Sequence, residues 1–112
     1  KGSCHCGKVL YEVEGEIGEV TECNCSICRR RGYLSWFVPR EKLHLQTPES
    51  GLSSYSFNKH RIKHCFCSTC GSATFGEGSD AKGNKMAAMN VRCLEDVDLT
   101  TLKIKQFDGR SL

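Results

Sequence analysis

Short alternating runs, each cut off by glycine or a polar turn, make up most of this chain. Across residues 8–13 apolar positions fall at Val9, Tyr11 and Val13, the period-two pattern of a half-buried strand. Gly15 and Gly18 interrupt it, and residues 20–22 read as a second short strand. Residues 26–31 fit one or two helical turns, stopped by Gly32. Strand patterns follow at residues 33–38, ended by Pro39, at Leu43 and Leu45, and around Tyr55 and Phe57. Residues 58–61 predict a turn, 62–66 its returning strand, and 73–75 another strand. Residues 76–84 predict a glycine-rich mobile loop, and the mostly apolar residues 85–91 a central strand. Residues 94–99 predict one helical turn, and 101–107 a final strand or extended tail. The chain has no internal repeat. Many short strands joined by glycine turns predict an all-β domain of two small sheets.

Its length, 112 residues, fits a single domain spanning 1–112. Only 38% of the residues are apolar, so the core must be modest and some other constraint is expected to support it. Nine cysteines supply the candidate. An odd number cannot pair fully into disulfides, and these cysteines cluster, as Cys4/Cys6, Cys23/Cys25/Cys28 and Cys65/Cys67/Cys70. Close clusters suit metal chelation better than cross-links between distant elements. Thiolate sites persist in a reducing compartment, which points to the cytoplasm. The net charge of +3 admits an anionic small molecule and does not call for nucleic acid, and no apolar run approaches membrane-spanning length.

Zinc takes four ligands in a tetrahedron. Cys4 and Cys6 with Cys67 and Cys70 make a complete set, a C-x-C turn joined to a C-x-x-C knuckle. Four thiolates leave no position for substrate, so this zinc is read as structural, closing a loop of about sixty residues. Cys23, Cys25 and Cys28 supply three ligands within six residues. The fourth could be Cys65, Cys93, a histidine, water or an external thiol. A closed site would be structural, whereas an exchangeable position would make the ion a Lewis acid able to hold a thiol as thiolate.

Arg29, Arg30 and Arg31 follow this cluster directly and could bind substrate carboxylates, or could simply form a solvated basic face. His5, between two ligands, must point away from their ion. His60 and His64 read as surface residues of a turn and strand, and His44 carries no assignment. Cys93 reads as a small buried apolar residue. Trp36 and Phe37 could wall the second cluster or belong to the core.

The segments Ser3-Cys4-His5-Cys6-Gly7, Cys23-Asn24-Cys25-Ser26-Ile27-Cys28-Arg29-Arg30 with Gly32, Phe66-Cys67-Ser68-Thr69-Cys70-Gly71 and Asn90-Val91-Arg92-Cys93-Leu94 occur in register over nearly the whole chain. In this the chain resembles the glutathione-dependent formaldehyde-activating enzyme family, which includes the centromere protein V type. The resemblance implies a zinc-stapled β-tent fold. It implies a structural zinc on Cys4, Cys6, Cys67 and Cys70, and a catalytic zinc on Cys23, Cys25 and Cys28. It implies condensation of glutathione with formaldehyde to S-(hydroxymethyl)glutathione, a carbon–sulfur lyase reaction in reverse, with Arg29 and Arg30 as candidate glutathione contacts. Cys65 is not part of the family motif. The expectation is therefore a zinc enzyme acting on a small thiol adduct. Its rivals are a non-enzymatic zinc module that binds a protein or nucleic acid, and a glutathione carrier.

Overall fold

The computed structural model describes residues 1–57 and 62–111. In chain order the elements are β1 (Gly2–Ser3), β2 (Leu10–Val13), β3 (Glu19–Cys23), α1 (Ser26–Arg31), β4 (Ser35–Pro39), β5 (Leu43–Leu45), β6 (Leu52–Tyr55), β7 (Lys63–Cys67), β8 (Ala73–Ser79), β9 (Lys85–Asn90) and β10 (Lys103–Phe107). Short 3-10 turns link several of them. The strands form two sheets, as the alternation predicts. A three-stranded sheet has the order β1-β2-β5, and a seven-stranded sheet the order β10-β3-β4-β9-β8-β7-β6. Strand β9 is fourth of the seven, the central place its apolar sequence called for.

The inward side chains of the two sheets meet in one core. Val9, Tyr11, Val20, Phe75, Ala87, Met89 and Val91 are sealed from solvent. The Tyr11 ring from the small sheet packs edge-on to Phe75 of the large one, centroids 5.8 Å apart. Nearly all neighbouring strands are antiparallel. The exception is β10, which lies parallel to β3 with Lys103 opposite Glu19 and Phe107 opposite Cys23. That pairing carries the end of the chain to the Cys23 cluster.

Three expectations need correction. The strand placed around Tyr55 and Phe57 lies earlier, at Leu52–Tyr55, because its partners run from Leu52 opposite Cys67 to Tyr55 opposite His64. The loop placed at 76–84 starts too early: β8 continues through Ser79, with Gly76 opposite Ala88 and Ser79 opposite Lys85. Cross-strand pairing overrides the weak strand preference of glycine there. Only the tip turns, and Asp80 closes it by accepting hydrogen bonds from the backbone N–H groups of Lys82 and Asn84, both at 2.9 Å. The helical turn placed at 94–99 is absent. Single 3-10 turns form instead at Val91–Cys93 and Leu99–Thr101, where the Asn90 and Asp98 side chains cap the N–H groups of Arg92 and Thr100. The turn expected at 58–61, with His60, lies outside the described residues.

Candidate metal centres

The turn between β1 and β2 carries Cys4 and Cys6, the end of β7 carries Cys67, and the turn that follows it carries Cys70. Each loop folds on itself through backbone bonds, Gly7 N–H to Cys4 O at 3.3 Å and Gly71 N–H to Cys67 O at 3.0 Å. The His5 N–H donates to Ser72 Oγ at 3.3 Å and joins the two loops, while the imidazole of this exposed residue plays no part. All four sulfurs lie within 4.8 Å of one another. Cys6 Sγ is 3.6 Å from Cys4 Sγ and 3.7 Å from Cys67 Sγ. A tetrahedron of zinc–sulfur bonds has sulfur–sulfur edges of about 3.8 Å, so the set fits zinc. Backbone N–H groups point at the sulfurs: Val9 at Cys4, and both Thr69 and Cys70 at Cys67, at 3.3–3.4 Å. The hydroxyl and N–H of Ser72 bring the Cys70 thiol down to about 5. Such contacts favour the ligating thiolates.

The second cluster is built by one chain reversal. Strand β3 delivers Cys23, Cys25 caps α1, and Cys28 returns on its first turn. Arg29 N–H donates to Cys25 O at 3.0 Å, and Gly32, in the left-handed conformation at φ 68°, donates to Cys28 O at 2.9 Å. The three sulfurs lie within 4.8 Å of one another. Burial pushes the Cys28 thiol up, and the neighbouring Cys25 and Cys23 push it further. Three thiolates crowded together repel, and a divalent cation relieves that cost, so this donor set also fits zinc.

Neither Cys65 nor Cys93 joins this cluster. Cys65 is buried on β7 with its sulfur 3.8 Å from Lys63 O and 3.9 Å from Glu77 Oε1. Cys93 is only partly buried and its thiol donates to Ala73 O at 3.6 Å, so it is less an apolar filler than expected. Among the described residues the cluster therefore offers three candidate ligands.

The chain end packs over it. Asn24 N–H donates to Phe107 O at 3.2 Å, Asn24 Nδ2 to Asp108 Oδ1 at 2.9 Å, and Arg110 N–H to Asn24 Oδ1 at 2.8 Å. Gly109 approaches so closely that a Cβ there would stand 2.5 Å from Cys23 Sγ. Residues 107–110 were not legible as part of the site, because only the parallel pairing of β10 with β3 brings them there.

A cavity of about 280 Å³ opens beside Cys23, Cys25 and Cys28. Its apolar walls come from Ile27, Tyr33, Phe37, Phe57, Ile62 and Phe107. Its polar side includes His64, which sequence reasoning placed on the surface. The structure buries this imidazole, 7% exposed, stacked between Tyr33 at 6.2 Å and Phe57 at 5.7 Å. Burial and the nearby Arg31 charge hold its pKa below the usual value. The two candidate aromatics divide by strand alternation. Trp36 is buried in the core, and Phe37, 56% exposed, faces the cavity.

The three arginines diverge. Arg29 borders a second cleft, with Glu22, Asn24 and Gln106, into which Cys23 and Cys28 also face. Arg30 turns back to donate to Ser26 O at 2.9 Å. Arg31 donates to Tyr33 Oη at 3.2 Å and lies over the Phe66 ring, so it supports the cavity wall. His44 pairs with Glu14 at 2.8 Å, away from both clusters.

Two comparisons bear on this arrangement. The family model described as glutathione-dependent formaldehyde-activating enzyme matches residues 1–108. A Rhodobacter sphaeroides protein of known crystal structure superposes with a TM-score of 0.79 and 31% sequence identity, covering 93% of this chain and 98% of that one.

Proposed function

The chain belongs to the glutathione-dependent formaldehyde-activating enzyme family, and on that premise we propose that it catalyses reversible addition of a small thiol to an aldehyde. The family points to glutathione as the thiol and formaldehyde as the aldehyde, giving S-(hydroxymethyl)glutathione. One observation carries the reading: three sulfurs within 4.8 Å of one another border a cavity, and no other described cysteine joins them. Cys4, Cys6, Cys67 and Cys70 would hold a structural zinc, and Cys23, Cys25 and Cys28 a catalytic one. Bound there, zinc supplies Lewis acidity that favours the thiolate form of a substrate thiol.

The remaining work falls to side chains. Arg29, which lines a cleft with Cys23 and Cys28, would bind a carboxylate of the thiol. Arg30, tied to Ser26 O, is a weaker candidate than the sequence implied. The apolar walls lower the local polarity beside the sulfurs, which strengthens polar contacts there. His64, held neutral, is a proton acceptor on the cavity wall.

Native mass spectrometry with and without glutathione tests this reading. Two zinc ions per chain are expected, with a glutathione adduct that disappears in Cys28→Ser. Adduct formation must also outpace the spontaneous reaction of glutathione with formaldehyde. Two zinc ions indifferent to glutathione would overturn the proposal and leave a non-enzymatic zinc module. Glutathione binding without rate acceleration would leave a carrier.

A further inference from the structure

The space beside the three-cysteine cluster is far larger than formaldehyde needs, and its walls have the wrong chemistry for so small and polar a substrate. A dry cavity of about 150 Å³ accepts benzene. The cavity here is about 280 Å³, and Ile27, Phe37, Phe57, Ile62 and Phe107 all face it. Three of these side chains are strongly exposed, Phe37 at 56%, Ile62 at 50% and Phe107 at 45%. Scattered exposed apolar residues are common on protein surfaces. Three at the rim of one cavity, which also holds a metal-competent thiol cluster, form a binding surface. A hydrated one-carbon aldehyde would gain nothing from them.

A second space is bordered by two of the same sulfurs. Cys23 and Cys28 also border the cleft made by Glu22, Asn24, Arg29 and Gln106. Two of the three sulfurs thus border both the apolar cavity and a cleft that carries charged and amide side chains. A peptide-like thiol with carboxylates suits the Arg29 side, which leaves the apolar cavity for the substituent of the carbonyl partner.

We propose, resting on the thiol-addition reading above, that the aldehyde used by this protein carries an apolar group of about phenyl size, seated against Ile27, Phe37, Phe57, Ile62 and Phe107. The reaction balances without any redox partner. The thiol RS–H adds to R′–CHO, the C–S bond forms as the carbonyl π bond breaks, and the thiol proton ends on the new hydroxyl oxygen of RS–CH(OH)–R′. Reversal releases the same aldehyde and thiol.

The chain contains four isoleucines, of which Ile27 and Ile62 face the cavity while Ile17 and Ile104 do not border it. With isoleucine methyl groups labelled in the zinc-loaded full chain, benzyl alcohol serves as the unreactive counterpart of benzaldehyde, and methanol as that of formaldehyde. Saturable shifts are expected at Ile27 and Ile62 with benzyl alcohol, none at Ile17 and Ile104, and none at any of the four with methanol. Phe37→Ser, at a position 56% exposed on the rim, is expected to weaken benzyl alcohol binding about tenfold, roughly 1.4 kcal/mol. Ile62→Ser should do the same. With glutathione, benzaldehyde should be consumed with at least tenfold higher kcat/KM than formaldehyde. Uniform or absent isoleucine shifts, or a preference for formaldehyde, overturn the inference. A zinc-dependent glutathione adduct without isoleucine shifts removes it and leaves the proposed function standing. Isoleucine shifts without glutathione binding support the apolar site and remove the thiol-addition reading.

Discussion

Gly109 and Cys23 stand 86 positions apart in the chain, yet a methyl group on Gly109 would come within 2.5 Å of the Cys23 sulfur. The end of the chain is thus the lid of the second cysteine cluster. Gly109→Ala must displace either the tail or the thiol. The expected outcome is loss of zinc from this cluster alone, so zinc per chain falls from two to one while the four-cysteine site stays loaded. Quantitative metal release with a chromogenic chelator, before and after denaturation, checks this.

The two clusters should differ in how they lose metal. The four-cysteine set joins the β1–β2 turn to the β7–β8 knuckle, so the free energy of a metal bound there would also be folding free energy. Cys67→Ser is expected to cost more than about 4 kcal/mol and to leave little folded protein at 37 °C. Cys28→Ser should lose one zinc with a much smaller drop in thermal midpoint. A mild chelator added to the intact protein should strip the three-cysteine site first. Stepwise loss followed by mass spectrometry alongside thermal melts would show both effects.

His64 gives the protein a pH dependence with a definite sign. Its pKa is lowered from 6.5 in the folded chain by burial and by Arg31. The unfolded chain therefore takes up the proton first as pH falls, and stability declines below about pH 6.5. No such contribution exists at higher pH, where both states are neutral. In His64→Gln this decline should be shallower than in the original protein. Parallel urea melts from pH 7.5 to 5.5 isolate the difference from any pH-driven loss of zinc. The same variant should slow thiol addition if the imidazole carries the proton.

Arg40 and Glu77 form a half-buried ion pair, and Arg40 also donates to Leu43 O at 2.8 Å. The other oxygen of Glu77 has only longer contacts, with Lys63 Nζ and Cys65 Sγ, both at 3.9 Å. Arg40→Met leaves the carboxylate nearly unpaired and is expected to cost about 1–2 kcal/mol. Arg40→Met combined with Glu77→Gln should recover part of that loss, a coupling that equilibrium unfolding of the two single variants and the double variant can measure.

The sequence by itself determined the chemistry of the metal ligands and the local shape that presents them. Alternation at Val9, Tyr11 and Val13 set the inward face of the first sheet, and Cys25 to Gly32 set the reversal that gathers three thiols. Spacings of two or three residues fix sulfur positions within one turn of backbone, so no distant contact is needed to read them. It also placed β9 at the sheet centre through its apolar run.

Only the tertiary structure decided what surrounds those thiols. His64 read as a surface residue because its burial depends on Tyr33 and Phe57, which reach it through sheet packing rather than through its own strand. The division of labour between Trp36 and Phe37 followed from which face of β4 meets the core. Residues 76–79 became strand because β9 offered them partners, against the local preference of glycine. The polar cleft, the apolar cavity and the Gly109 lid all join residues far apart in sequence. Their positions follow from the pairing of β10 with β3 and from the closure of two sheets on one core, and no local spacing encodes either.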